Sequence, residues 1–245
     1  MSDAGGLDLV ETLNRLVDNA LEVDNTSQPP RDYLGASEIG DLCERKLAFK
    51  WHKFPAEPFK GRGIRRFRMG HVHEDETARW LKMAGFNLTG EQTGFDLADG
   101  KFSGHIDGFL VSGPIELPYP VLWEHKVMKA SIWRQLAKSR VETEHPKYFG
   151  QLQVYMRQFD LKAALFTALN TDTSELHFEL VKYDAAKAEV YIDRAQRILT
   201  SESPQELPRI GRSEFDFACK FCPYKAACWV VPVAPEAPKP AWLQR

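Results

Sequence analysis

The chain has 245 residues, of which 43% are hydrophobic and 27% are charged. That composition is ordinary for a globular protein with one large domain, and it excludes a chain that is disordered throughout. Lys and Arg total 32 against 34 for Asp and Glu, which excludes a bulk attraction to nucleic acid and leaves that role to local basic patches.

The first predicted elements are helices. Apolar residues recur at helical spacing over residues 7–22, and Ser37 predicts the N-cap of a second helix over residues 38–51. Residues 60–68 contain basic side chains and no acidic one, which predicts a basic loop before a helix at about 70–83. The basic residues of this loop are Lys60, Arg62, Arg65, Arg66 and Arg68.

Strands dominate the middle of the chain. The sequence predicts a hairpin of strands 95–97 and 102–111, joined by a turn at 98–101. Further strands are expected at 121–127, 163–169 and 176–181, and helices at 130–139, 146–159 and 185–199. This order predicts an α/β fold in which helices flank a mixed central β-sheet.

We divide the chain into three regions. Residues 1–30 are expected to form an N-terminal helix and linker, and residues 31–230 the main domain. Residues 231–245, which contain four prolines, predict an extended tail. The sequence contains neither an apolar run of about 18 residues nor a secretory signal, so we expect a cytoplasmic protein with no membrane partner.

The four cysteines predict a metal centre. Cys219, Cys222 and Cys228 form a C-x2-C-x5-C group within residues 217–230, and Cys43 lies 176 residues before Cys219. In a reducing compartment such thiols bind zinc or an iron–sulfur cluster more often than they form disulfides. One distant cysteine with a compact triplet favours a cluster that joins the two ends of the domain, while zinc, a disulfide and free thiols remain alternatives.

Two acidic residues and a lysine form the most informative constellation. Glu124 and Lys126 alternate along one predicted strand, so both project to the same face. Asp107 joins them if the two strands are neighbours. Paired carboxylates bind Mg²⁺ or Mn²⁺, and the lysine would orient a water and stabilise charge on a phosphate. The alternative is a surface ion pair on a strand.

Three further residues extend this constellation. Glu74 lies on the predicted helix that would lean over the sheet, and it adds a third carboxylate. Gln151 and Tyr155 lie one helical turn apart and would hold a phosphate or a base edge. Taken singly, Glu74 also fits a solvated acidic turn, and the other two a polar helix edge.

The order of these motifs resembles a known superfamily. Cys43, G-x3-E, G-x2-D, E-x-K, Q-x3-Y and C-x2-C-x5-C follow one another as in the RecB-like branch of the PD-(D/E)XK nucleases. Within it the chain looks like the iron–sulfur members, which include CRISPR-adaptation nucleases, the AddB nuclease domain and phage-type exonucleases. Residues 34–40 before Cys43, and Gly70-His71 before Glu74, look most like the phage-type exonucleases. The resemblance covers about residues 34–229 and implies a restriction-endonuclease-like core with a Cys-rich cluster-binding segment.

The resemblance also implies a role for each motif residue. Glu74, Asp107 and Glu124 would bind the metal with the backbone carbonyl of His125, and Lys126 would be the catalytic lysine. Gln151 and Tyr155 would position the substrate strand. The four ligands of a [4Fe–4S] cluster would be Cys43, Cys219, Cys222 and Cys228. Two positions depart from the common pattern, since many relatives have histidine in place of Glu74 and proline in place of Ile106.

The function expected from the resemblance is that of a metal-dependent DNA exonuclease in recombination or repair. DNA is the expected substrate, a strand-annealing recombinase or another recombination protein the expected partner. The basic residues Arg62, Arg65, Arg66 and Arg68 would grip backbone phosphates near the active site. Two alternatives are an endonuclease of restriction or CRISPR-adaptation type and a non-catalytic iron–sulfur protein that binds nucleic acid.

Overall fold

The structure is a computed structural model that describes residues 4–29 and 31–230. The predicted Pro-rich tail, residues 231–245, lies outside the described residues. The helices of the described part are α1 (Ala4–Ser27), α2 (Glu44–Trp51), α3 (Gly61–Met83), α4 (Ala130–Lys138), α5 (Val141–Glu144), α6 (Pro146–Gln158), α7 (Ala185–Thr200), α8 (Phe217–Lys220) and α9 (Lys225–Val230). The strands are β1 (Leu34–Gly35), β2 (Asn87–Thr89), β3 (Gly94–Leu97), β4 (Phe102–His105), β5 (Gly108–Ser112), β6 (Val121–Met128), β7 (Ala163–Asn170) and β8 (Leu176–Lys182).

The strands form two sheets. The main sheet has the order β2-β5-β6-β7-β8, and the smaller one the order β1-β4-β3. In the main sheet β6 and β7 are parallel and every other neighbouring pair is antiparallel. Every residue of β7 is buried, as expected for a strand covered on both faces. The predicted α/β fold with a mixed sheet flanked by helices is therefore confirmed.

Alternation along β6 separates the core into two layers. Trp123 and Val121 pack with Leu81 of α3 in one apolar cluster. Leu122 packs on the opposite side of the sheet, in the cluster that contains Leu152 of α6. The two helices therefore lie over opposite faces of the strand that contains the E-x-K motif.

The predicted hairpin is right at its turn and wrong in its second strand. β3 and β4 pair as an antiparallel hairpin, but the strand expected over 102–111 is interrupted after His105. Its second half, β5, pairs with β2 and β6 in the other sheet. The bend occurs between two glycines, and a Cβ at Gly108 would lie 2.8 Å from Leu88 Cδ1. Asp107 consequently lies where the chain passes from one sheet to the other.

The predicted basic loop is wrong, because residues 61–68 form the first turns of α3. Arginine is a good helix former, and Ile64 supplies a buried anchor on the inner side of the helix. Helix α1 compensates part of the charge of this run, since Arg65 pairs with Asp18 and Arg68 with Asp24. A helix start is therefore stable where polarity alone predicted a loop.

The helix predicted from Ser37 begins later than expected. Residues Ala36–Glu38 form a single 3-10 turn, and α2 begins at Glu44 after Cys43, whose backbone is extended. The helix does not extend through this segment, where the side chain of Asp41 accepts a hydrogen bond from the Cys43 N–H at 3.1 Å. A Cβ at Gly40 would lie 2.4 Å from the carbonyl oxygen of Pro146, so this chain reversal needs glycine.

Helix α1 contacts α3 through its polar side. The Gly61 N–H donates to Glu22 Oε1 at 2.9 Å, and a Cβ at Gly61 would lie 2.5 Å from Asp18 Cα. The exposed apolar residues of α1 are Leu9, Val10, Leu13, Leu16, Val17 and Val23. Across the described residues, the search for a helix with the length and hydropathy of a membrane span finds none.

Candidate active site

Asp107 stands at the junction of the two sheets. Gly108 pairs with Trp123 across β5 and β6, so the antiparallel register places Asp107 opposite Glu124. Asp107 Oδ2 accepts a hydrogen bond from the His125 N–H at 2.7 Å. The carboxyl group is 8% exposed and is held toward the E-x-K strand. The predicted convergence of these two strands is confirmed.

Glu124 is completely buried and only partly hydrogen-bonded. Its Oε1 accepts from Gln151 Nε2 at 2.7 Å and from Lys126 Nζ. Lys126 Nζ also donates to the His125 carbonyl oxygen at 2.9 Å. The other oxygen, Glu124 Oε2, has no hydrogen-bond partner among the described residues. A buried carboxylate oxygen without a donor is costly unless something cationic binds it.

Glu74 approaches from α3. Gln92 Nε2 donates to Glu74 Oε1 at 2.8 Å, and His71 Nδ1 lies 3.7 Å from Oε2. A surface cavity of about 340 Å³ is lined by Glu74, Gln92 and Asp107, among others, and gives solvent access to this side of the site. Of the two histidines that flank Glu74 in the sequence, His71 is exposed and its ring faces the Glu74 carboxylate.

The three carboxyl groups perturb one another. Burial, together with repulsion from Asp107, raises the pKa of Glu124 to about 8 and that of Glu74 to about 7. Burial also raises the pKa of Asp107, against the opposing charge of Lys126. Burial alone would lower the pKa of Lys126, but Glu124 and Asp107 raise it above its ordinary value. The site therefore concentrates negative charge and holds one ammonium group.

The donor set fits a hard divalent cation. Oxygen ligands are available from Glu74, Asp107 and Glu124, and the unpartnered Glu124 Oε2 is the atom that such an ion would satisfy. Within residues 4–29 and 31–230, no three Asp, Glu, His or Cys side chains form a ready-made metal cluster. Side-chain donors occupy the carboxylates instead, since Lys126 and Gln151 bind Glu124 and Gln92 binds Glu74.

Gln151 and Tyr155 lie beneath the carboxylates rather than at the surface. Both are buried, and the side-chain amide of Gln151 donates a hydrogen bond to Glu124. Tyr155 packs edge-to-face on Phe95 with ring centroids 5.4 Å apart. A Cβ at Gly104 would lie 2.8 Å from Tyr155 Oη, so the glycine of the G-x2-D motif makes room for the phenol. Gln151 of this motif therefore orients Glu124 from the side of α6.

The predicted DNA-binding arginines differ in their surroundings. Arg65 and Arg68 pair with carboxylates of α1, as described above. Arg62 and Arg66 are exposed and make no ion pair with any residue in the described ranges. Two of the four are therefore free to bind phosphate, and two must first leave an acidic partner.

The four cysteines come together at the other end of the domain. All four are free and line one cavity of about 330 Å³, which α2, α8 and α9 help to enclose. A Cβ at Gly211 would lie 2.6 Å from Cys219 Sγ, so the backbone there approaches the sulfur as only glycine allows. Cys43 and the distant triplet therefore line the same cavity, although no three of these thiols in the described part of the chain are placed as a ready-made metal cluster.

The surroundings of these thiols fit a thiolate-bound group. Burial raises the pKa of Cys43 to about 11, while backbone N–H groups of Lys46 and Ile210 oppose that shift by hydrogen bonding to the sulfur. A backbone N–H of Gly211 acts in the same direction on Cys219. Such donors favour the thiolate form that zinc and iron–sulfur clusters require. The cavity walls also include the cationic residues Lys46, Lys147, Arg209 and Lys225.

Comparisons with solved structures place this geometry in a known fold. The alkaline exonuclease LHK-Exo from Laribacter hongkongensis superposes with a TM-score of 0.51 at 17% identity, over 69% of this chain and 87% of that one. The fold resembles that of an alkaline exonuclease. The protein SSO0001 is similar over 89% of this chain and 97% of its own, with a TM-score of 0.52 and 13% identity. At such identities the likeness shows the fold alone. No protein-family model matches the chain, and a comparison with curated proteins finds no match.

The exonuclease-like fold also contains site residues that the sequence did not reveal. Trp123 Nε1 donates to Thr167 Oγ1 at 3.1 Å, and this hydroxyl lies 2.8 Å from His125 Nδ1. Thr77 Oγ1 lies 3.3 Å from the other ring nitrogen of His125. Burial lowers the pKa of His125 to about 3, so the ring is neutral. This network fixes the backbone of the E-x-K strand from the side opposite Glu124.

Neither threonine has a motif of its own. Thr167 is the one polar residue within 163–169, and that was the available signal. Gln92, which donates a hydrogen bond to Glu74, lies two residues after Gly90 in a turn and has no recognisable pattern. Their roles depend on partners 18 to 48 positions away in the sequence.

Proposed function

We propose that the chain is a metal-dependent deoxyribonuclease that removes nucleotides from DNA ends or single strands, with Mg²⁺ or Mn²⁺ as cofactor. One observation carries the proposal: Glu74, Asp107 and Glu124 converge beside Lys126, and Glu124 Oε2 is buried without a hydrogen-bond partner among the described residues. A structural ion pair would not need three carboxyl groups around one ammonium group.

The chain's own residues supply positions and charge. Glu74, Asp107, Glu124 and the His125 carbonyl would hold the cation, which supplies charge neutralisation and an acidified water when bound. Lys126, whose ammonium group binds Glu124 in this structure, would donate to a phosphate oxygen of the bound strand. Gln151 keeps Glu124 oriented, and the neutral His125 ring anchors the strand between Thr77 and Thr167.

The substrate would approach over α3. Arg62 and Arg66 are exposed on the helix that also contains Glu74, so phosphates bound there would lead to the carboxylates. Arg65 and Arg68 would join them by leaving Asp18 and Asp24. A strand-annealing recombinase or another recombination protein in the cytoplasm is the partner that this proposal includes.

The cysteine cavity would hold a [4Fe–4S] cluster with a structural role. Its four cysteines line one cavity, and four thiolates are the ligand set of such a cluster. Hydrolysis requires no redox partner. The group would instead tie α2 to the α8–α9 segment and so join the two ends of the domain.

The decisive experiment uses end-labelled single- and double-stranded DNA with purified protein in Mg²⁺, Mn²⁺ or chelator. We expect metal-dependent release of labelled nucleotides, and a loss of at least about 100-fold in rate for Lys126→Ala. Asp107→Asn should be equally impaired. Glu116→Gln, which alters an exposed carboxylate far along the β5–β6 loop, is the matched control and should remain active.

Closed-circular DNA distinguishes the alternatives. An exonuclease leaves covalently closed circles intact while it degrades the linear form, whereas an endonuclease of restriction or CRISPR-adaptation type converts both. Wild-type cleavage rates in Lys126→Ala would contradict the assigned chemistry. Binding to DNA without any cleavage in either metal would support the non-catalytic alternative.

A further inference from the structure

Arg45 is a fully buried cation with incomplete hydrogen bonding. It lies on α2, two residues after Cys43, and its side chain is 0% exposed. Nη1 donates to the Leu207 carbonyl at 3.3 Å, a long contact. Nε and Nη2 have no hydrogen-bond partner, and no carboxylate in residues 4–29 or 31–230 forms an ion pair with Arg45. Burying a charge in this state is strongly unfavourable.

A second buried arginine shows how the same fold normally treats such a group. Arg194 on α7 is 3% exposed, and Nη1 donates to the carbonyl oxygens of Ile39 and Asp41 at 2.9 and 2.7 Å. Nε donates to Glu44 Oε1 at 3.2 Å. The contrast indicates that Arg45 lacks a partner which residues 4–29 and 31–230 do not provide.

The cavity lined by the four cysteines is the place where such a partner for Arg45 would bind. Arg45 lies between Cys43 and Phe49 on α2, and both of these residues line the cavity. The Phe49 ring centroid lies 6.0 Å from the Arg45 guanidinium. Arg209, which also lines the cavity, donates to the Cys228 carbonyl and stacks over Trp229 at 4.4 Å. The guanidinium of Arg45 is therefore packed behind the wall of the cysteine cavity, and burial lowers its pKa while the thiols of Cys228 and Cys43 oppose that shift.

We propose that Arg45 is the buried counter-charge of an anionic thiolate centre at the four cysteines, and a positioning residue for that centre. The inference rests on the proposed cysteine-bound group. Zinc or a [4Fe–4S] cluster bound by four thiolates has a net negative charge in either case. A guanidinium beside such a centre can donate hydrogen bonds to it from its free N–H groups. It also neutralises negative charge that the apolar surroundings cannot solvate.

This role predicts effects of opposite sign with and without metal. In metal-free protein, Arg45→Met removes an uncompensated buried charge and keeps the volume, so the melting temperature should equal or exceed that of wild type. With metal bound, the same change removes the counter-charge and should weaken metal binding by about tenfold or more. A purely structural arginine would instead destabilise both forms.

The test compares full-length wild type, Arg45→Met, Arg45→Lys and Arg194→Met, all purified anaerobically. Co²⁺ titration, read by the thiolate-to-cobalt charge-transfer band, gives affinity without any assay of DNA cleavage. Iron–sulfur reconstitution then gives iron content and the rate of cluster loss to a chelator. Thermal melts with and without Co²⁺ complete the set. Arg45→Lys keeps the charge and should bind Co²⁺ more tightly than Arg45→Met.

Each outcome decides between proposals. Weaker Co²⁺ binding with an undiminished metal-free melting temperature in Arg45→Met supports the counter-charge, provided that Arg194→Met lowers both melting temperatures alike. Wild-type affinity in Arg45→Met, with cobalt bound by wild type, overturns this inference alone. An Arg45→Met chain that is misfolded or less stable without metal also overturns it. No thiolate–cobalt band in wild type overturns both this inference and the cysteine-bound group.

Discussion

Glu124 shows how much of the candidate chemistry is set by one side chain. It is 0% exposed, one of its oxygens has two donors, and the other has none among the described residues. Because the ammonium group of Lys126 reaches only one oxygen, the other is costly to bury unless it is protonated or bound to a second cation. The folding of β6 into the core therefore creates an electrostatic demand that a divalent ion would meet.

The raised pKa values predict a pH dependence for metal-free protein. Because folding raises the pKa of Glu124 to about 8 and of Glu74 to about 7, the folded state binds more protons than the unfolded state above pH 4.5. The stabilisation is present at low pH and is lost as pH rises toward 8. Urea unfolding in chelator should therefore give a lower free energy of unfolding at pH 8.5 than at pH 5.5.

Two controls isolate Glu124 in that measurement. Glu124→Gln should flatten the pH dependence, while Glu116→Gln, at an exposed position, should leave it unchanged. Added Mn²⁺ should restore stability at pH 8.5 in wild type and have less effect in Glu124→Gln. The same slope in wild type and Glu124→Gln would mean that Glu124 does not retain its proton in the fold.

At the scale of elements, α1 and α3 form an electrostatic pair. The acidic side of α1 lies on the basic start of α3, with Asp18 against Arg65 and Asp24 against Arg68. Exposed ion pairs contribute little to stability, so this contact can exchange partners. DNA phosphates and the α1 carboxylates would compete for the same two arginines.

Asp18→Asn tests this competition. Removing the carboxylate releases Arg65, so we expect tighter DNA binding and a steeper dependence of affinity on salt, by about one phosphate contact. Asp8→Asn is the matched control, because it makes the same charge change at an exposed position of α1. Fluorescence anisotropy with metal-free protein between low and physiological salt gives both slopes. If the salt dependence of DNA affinity is the same in the two variants, Arg65 does not contact DNA phosphate.

The sequence predicted most elements because their signals are local. The apolar run around the E-x-K motif identified β6, and helical spacing identified α6 and α7. The break at Asp107 was missed because it is decided by pairing with β2, a strand too short to have a pattern of its own. The start of α3 was missed because its stabilising acids lie on α1, about 45 residues upstream.

At the scale of the whole molecule, the cysteine cavity joins distant parts of the chain. Cys43 precedes α2, whereas the other three belong to the segment that contains α8 and α9. A group bound to all four would close a loop of most of the domain, which stabilises mainly by restricting the unfolded chain. The residues of the candidate active site lie between positions 74 and 155, whereas the four cysteines lie on either side of that range.

A double-mutant cycle tests the closure. Cys43→Ser and Cys222→Ser should each lower the free energy of unfolding of the metal-loaded protein by about 2–4 kcal/mol and abolish its colour. The double variant should lose no more than either single one, because both remove the same closure. Urea unfolding gives all three values. Additive losses, or a stable and coloured Cys222→Ser variant, would contradict a shared centre.

The wide separation of the cysteines has a consequence for biosynthesis. Cys43 leaves the ribosome 176 residues before Cys219, which at bacterial or eukaryotic translation speeds corresponds to a delay of roughly 10–35 s. During that interval Cys43 is without the three other thiols. Any group held by all four cysteines can therefore be completed only after residue 228 has left the ribosome.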